Sequence, residues 1–242
     1  MAAQEKVIQS VWTRPRSSRE QPVLSREQIV SEALRLLDTD GIDALSMRKL
    51  GTRLGAGATS LYRHVANKDE LIELAVDEIY GEVELPHSDD PANWRTDTAH
   101  CAHSLRRTIL GHSWIASVFG EMGMSHLGPN SMRLSEALLT LFIRAGFPPA
   151  EAGPAGSTVV AYVTGTATTE AAWLTALARS GKTEQEWVES MYPAAEQAAQ
   201  DYPHVREDYA GQRGKDPATM REENFEYGLQ RVLDGLETRL AH

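Results

Sequence analysis

Apolar side chains recur along this chain at helical spacing, and no stretch shows the alternating spacing of a strand. In "LSREQIVSEALRLLDTDG" (24–41), Ile29, Ala33, Leu36 and Leu37 share one face. Ser25 with Gln28 three residues later is a capping-box pattern, and Gly41 is a natural stop. "LSMRKLGTRLG" (45–55) predicts a second, short helix capped by Ser46, with Met47, Leu50 and Leu54 as its stripe and Gly55 at its end. "ATSLYRHV" (58–65) predicts a third, with Leu61 and Val65 facing inward at i and i+4. A fourth opens at Asn67, with Glu70 completing another capping box, and carries Leu71, Ala75 and Ile79 on one face. "LPHSDDP" interrupts it. Pro91 suits a helix start, and Trp94, Thr98, Cys101, Leu105 and Ile109 continue the period. Further helices are predicted over 114–122, 131–145, 149–179, 184–199 and 219–240. Residues 202–218, polar and bearing Gly and Pro, read as a loop.

The expectation is an all-α protein in three parts. Residues 1–24 form a basic arm, 25–68 a small helical head, and 69–242 an antiparallel helical bundle. The arm contains Arg14, Arg16 and Arg19, two prolines and little to bury. Charge sharpens this division. Residues 1–68 carry 11 Lys/Arg against 7 Asp/Glu, and residues 69–242 carry 13 against 27. A basic head on an acidic body can approach a polyanion by one end only. One cysteine, Cys101, excludes an intrachain disulfide and fits a reducing compartment. The first residues lack the apolar core of a secretory signal, and no apolar run is long enough to span a bilayer, so a cytoplasmic protein is expected.

Two short helices joined by "GAG" (55–57) make a helix-turn-helix, whose second helix enters a DNA major groove by its N-terminal end. The small residues Ala58, Thr59 and Ser60 let the backbone approach base edges, with hydroxyls to donate and methyls to meet thymine. Tyr62 and His64 can reach flanking phosphates, and Lys68 opens the next helix where its ammonium can do the same. A mere corner of a larger core rarely needs three bulky polar residues, Tyr62, Arg63 and His64, between Leu61 and Val65.

The segment "SMRKLGTRLGAGATSLYRHVANKDEL" resembles the DNA-binding head of the TetR family of transcriptional regulators, including "LYxHVxNKxxL" from Leu61 to Leu71. "NWRTDTAHCAHSLRRTIL", "RAGFPPAEA" and "FEYGLQRVLDGLETRL" resemble segments of tetracycline-repressor-like C-terminal domains. The resemblance implies a homodimeric helical regulator whose body binds a small molecule and whose heads bind double-stranded operator DNA. It places DNA contacts at Arg48, Ala58, Thr59, Ser60, Tyr62, His64 and Lys68. Arg48 is the expected base reader, since a guanidinium can bridge two acceptors of guanine. Arg63 stands where the tetracycline repressors have an aromatic residue and can pair with phosphate.

The body departs from the tetracycline repressors. Cys101 replaces a drug-gripping amide, Phe119 a magnesium-binding histidine, Val83 or Glu84 a second histidine, and Leu138 a glutamine. The resemblance therefore implies a more apolar effector, with no metal or other cofactor. Candidate walls on the fifth and sixth helices are Trp94, Cys101, Leu105, Trp114, Phe119 and Met122. Leu138, Phe142, Tyr162, Thr166 and Trp173 are candidates on the next two. Core packing is the competing reading for each. Asp97, His100 and Cys101 share a helix face with His103 nearby, but no second cluster completes a metal site. No nucleophile elbow, phosphate loop or paired carboxylate is recognisable, so an enzyme is not expected. The alternatives are a helical carrier or enzyme with a vestigial head, and a regulator that activates or ignores ligands.

Overall fold

The computed structural model describes residues 24–86, 90–122 and 127–240, with side chains omitted at 119–122. The arginines of the basic arm lie outside the described residues. Among these residues there are eleven α-helices and no strand.

Four helices build the head and its connection: α1 (Arg26–Asp40), α2 (Met47–Arg53), α3 (Ala58–Leu61) and α4 (Lys68–Tyr80). The Ser25–Gln28 capping box forms in both directions, and Ser46 caps α2 by accepting from Lys49 N. Ile29, Ala33 and Leu36 of α1, Leu50 of α2, Leu61 of α3 and Val65 close a small core with no solvent exposure. Each such leucine or isoleucine contributes about 1.5–3 kcal/mol by leaving water. Leu71 and Ala75 extend that core along α4.

Two local expectations need correction. The third helix stops at Leu61 rather than Val65. Beyond it Arg63 N bonds Ser60 O and His64 N bonds Leu61 O, so the backbone tightens to three-residue hydrogen bonds. At α4, Asn67 caps as expected, but Glu70 accepts from Ala66 N, one residue ahead of the cap.

The body contains α5 (Trp94–Gly111), α6 (Ile115–Met122), α7 (Pro129–Arg144), α8 (Pro149–Ser180), α9 (Glu184–Ala198), α10 (Pro203–Gln212) and α11 (Pro217–Glu237). Pro91 opens a single 3₁₀ turn ahead of α5. The long α8, whose 32 residues span about 48 Å, is the axis against which α5, α7 and α11 pack. Ile109, Phe142, Val163, Leu229 and Leu233 form the centre. Around it Trp94, Phe142 and Phe147 interlock, with ring centroids 5.1–6.1 Å apart.

α10 replaces the loop expected over 202–218. Pro203 starts it at a position where a missing N–H is harmless. Only Tyr209 and Gln212 of its residues are even half-buried, so no apolar period marks it.

Asp77 joins α4 to the body. Its buried carboxylate accepts from the backbone N–H of Asn130 and Ser131 at 3.0–3.3 Å and from Asn130 Nδ2 at 3.2 Å. These are the unpaired donors at the start of α7, so a side chain from another helix does the work of a cap.

Candidate DNA-binding face and ligand cavity

The head's turn is shaped by two glycines. Gly55 has φ +64°, a conformation that costs an L side chain but not glycine. A Cβ on Gly51 would lie 2.7 Å from the Ala56 carbonyl oxygen, so only glycine lets the turn fold back on α2. Arg26 of α1 fastens the far end by donating to His64 O at 3.2 Å.

This geometry sorts the basic residues. Lys49 bonds Asp40 at 2.9 Å, and Arg53 bonds Glu32 at 2.5 Å, so both are held against α1. Arg48 is exposed and makes no ion pair among the described residues. Thr59, Tyr62 and Arg63 are also exposed, with Tyr62 at 52 %. Ala58, Ser60, His64 and Lys68 are half-buried. Lys68 Nζ donates to Ile42 O at 3.3 Å, so part of its donor capacity is used inside the head. No motif announces the Arg26, Glu32 and Asp40 contacts.

A cavity of about 530 Å³ opens in the body between α8, α9, the 212–217 connection and α11. Its apolar walls are Trp173 from α8, Val188 and Tyr192 from α9, and Met220 and Phe225 from α11. Thr166, Thr169, Asn224 and Gln212 supply neutral polar groups. Tyr162 supports one wall: its ring lies 5.7 Å from that of Phe225, and its hydroxyl donates to Phe225 O at 2.7 Å.

A charged wall backs the cavity. Glu170 accepts from Arg106 Nε at 2.9 Å, Arg106 NH2 at 3.1 Å and Arg221 Nε at 3.0 Å. Glu184 accepts from Trp173 Nε1 at 3.0 Å and pairs with Arg221. Arg106 also pairs with Glu222 and stacks over Phe225, 4.5 Å from its centroid. Burial opposes the charge on Arg106, but Glu170 and then Glu222 outweigh it and raise its pKa.

Of the sequence candidates, Thr166 and Trp173 line this cavity. Trp94, Cys101, Leu105, Trp114, Leu138 and Phe142 are buried in the core and do not line it. The space expected between α5, α7 and α8 is filled by the Trp94–Phe142–Phe147 cluster. Burial pushes the Cys101 thiol up to about 12, so it stays protonated at neutral pH. Trp114 spends its indole N–H on Asp38 at 2.9 Å. Phe119 and Met122 have side chains outside the described residues. Sequence reasoning missed Tyr192, Met220 and Phe225 as walls; in the sequence Phe225 is one of the apolar residues that recur along the terminal helix.

A three-helix head presenting a short, slim helix, joined to a cavity-bearing bundle, is the architecture of a ligand-binding DNA-binding protein. Known proteins narrow the class. The tetracyclin repressor-like C-terminal domain family matches residues 52–240. The chain is 31% identical over 240 residues to the HTH-type transcriptional repressor DrrR1 of Streptomyces coeruleorubidus, covering 98% of this chain and 86% of that one. An HTH-type transcriptional regulator of Saccharopolyspora erythraea is 43% identical over 165 residues, 68% of this chain and 69% of its own length. Among solved structures, ActR of Streptomyces coelicolor in complex with actinorhodin superposes with a TM-score of 0.74 at 30% identity, over 90% of this chain and 99% of that one. The chain belongs to the TetR family of transcriptional regulators.

Proposed function

We propose that this chain represses transcription as a cytoplasmic homodimer, binding duplex operator DNA through α2 and α3, and that a small, largely apolar effector in the α8–α9–α11 cavity releases it. We assign no catalytic role to it. The observation that carries the DNA reading is the sorting of cations on α2: Lys49 and Arg53 are tied to α1, while Arg48, like Thr59 and Tyr62 of the neighbouring segment, is exposed and makes no ion pair among the described residues. That arrangement suits one guanidinium reading a base pair while its neighbours hold the helix in place. The similarity to DrrR1 and to ligand-bound ActR supports repression and ligand response.

A second copy is expected along the exposed face of α8, where Ser157, Ala161, Gly165 and Ala172 recur at helical spacing, and Tyr227 of α11 is also 67 % exposed. Small residues let helices approach closely, and two heads double the reach along the duplex.

The test is enrichment of a random duplex library on the full chain. A two-fold-symmetric site should emerge, and Arg48→Ala should lose preference at one base pair per half-site. Failure to enrich any sequence would favour the carrier with a vestigial head.

A further inference from the structure

The charges around the cavity are divided between paired and open groups. Glu170 and Glu184 have side chains only 12 % and 17 % exposed, and guanidinium or indole donors already occupy them. Lys215, on the connection between α10 and α11, is exposed at the cavity and makes no ion pair among the described residues. Its neighbour Arg213 is committed to Glu196 at 3.0 Å and lies over the Tyr192 ring. Among the described residues the cavity therefore offers aromatic walls and one cation without an ion pair.

We propose that the cavity binds a planar aromatic anion, its rings against Trp173, Tyr192 and Phe225 and its acidic group on Lys215. This rests on the reading of the cavity as the effector site. A volume of about 530 Å³ suits a ligand of several fused rings. Offset or edge contacts with three aromatic side chains select a flat guest over a branched aliphatic one. The sign of the charge follows from what each alternative would break. A cationic guest must take a carboxylate from Arg106 or Arg221, and Arg106, with its side chain 9 % exposed, would lose the two-point contact with Glu170 and keep only Glu222. A neutral guest can accept a hydrogen bond from Lys215 but brings no opposite charge to it. An anion meets the lysine without disturbing any existing pair.

Calorimetric titration of the full chain with a matched series decides the point: anthraquinone-2-carboxylate, anthraquinone-2-carboxamide and 2-(aminomethyl)anthraquinone. The carboxylate should bind about tenfold more tightly than the carboxamide, as a charge-assisted hydrogen bond requires, and the amine most weakly. In Lys215→Met, an exposed change that leaves the core intact, the carboxylate's advantage should vanish while carboxamide affinity stays. Trp173→Ala should weaken all three alike. Equal affinities, a preference that survives Lys215→Met, or no binding would overturn the proposal. Operator binding is read separately by gel shift without probe: its absence defeats the regulator reading instead. Binding in the expected order without operator release would uphold the ligand class and defeat the effector role.

Discussion

His112 Nδ1 lies 2.7 Å from Asp38 Oδ1, and this contact ties the turn after α5 to the last turn of α1, the first helix of the head. His112 Nε2 reaches Glu82 at 3.1 Å, just beyond α4. Both nitrogens can donate only in the imidazolium, so the cluster holds a proton. Burial opposes that charge, but the bonds to Asp38 and then Glu82 outweigh it and raise the pKa above 6.5. A raised folded-state pKa gives stability that is complete below the unfolded value and lost as pH climbs through the folded one. Thermal melts of wild type and His112→Gln should differ most below pH 6.5 and converge in mildly alkaline buffer. A gap that widens with pH would contradict the assignment.

Arg48→Ala should weaken specific DNA binding by about 1–3 kcal/mol and relax one base preference, while leaving the melting temperature within about 1–2 °C. Arg53→Ala should behave oppositely. It breaks a pair with Glu32, so stability falls slightly while base preference is unchanged. Fluorescence anisotropy with matched and single-mismatch duplexes separates the two.

Lys68→Ala should lower affinity for all sequences and reduce the slope of log K against log salt by about one unit. It should also cost about 1 kcal/mol of stability, because the ammonium bonds Ile42 O. A salt titration in which the slope is unchanged would restrict Lys68 to a structural role.

Two substitutions separate core from interface. Leu233 has no exposure, so Leu233→Asp should cost at least about 3 kcal/mol and unfold the body. Ala161, on the exposed face of α8, should accept Arg without loss of secondary structure, yet yield a monomer by light scattering. A wild type that is itself monomeric at micromolar concentration would remove the dimer from the proposal.

The head was largely legible in the sequence because short-range rules govern it. The Ser25–Gln28 box, the Ser46 cap and the Leu50, Leu61 and Val65 spacing all act within one or two turns, and all appear as expected. Along α11 the apolar stripe is broad, and sequence alone does not say whether the chain itself or a second copy covers it. Phe225, Leu229 and Leu233 are buried within the chain, with His103 and Arg106 of α5 and Tyr162 of α8 against Phe225. α10 was invisible because it buries almost nothing. The cavity was unreadable because its walls run from Gly165 to Phe225, and sequence spacing does not say which residues far apart in the chain leave a gap between them.

Asp77's hold on the start of α7 fixes where α4 can move. From Asp77 to Lys68 is nine residues, or about 14 Å of helix. With that point as fulcrum, a tilt of about 10° carries Lys68 through about 2.4 Å, comparable to the whole length of a hydrogen bond. The body end of α4, only three residues beyond at Tyr80, would shift by less than about 1 Å. If the head meets DNA as proposed, the helix would act as an unequal-armed lever: displacements in the body too small to disturb its packing would become displacements at the DNA large enough to break register.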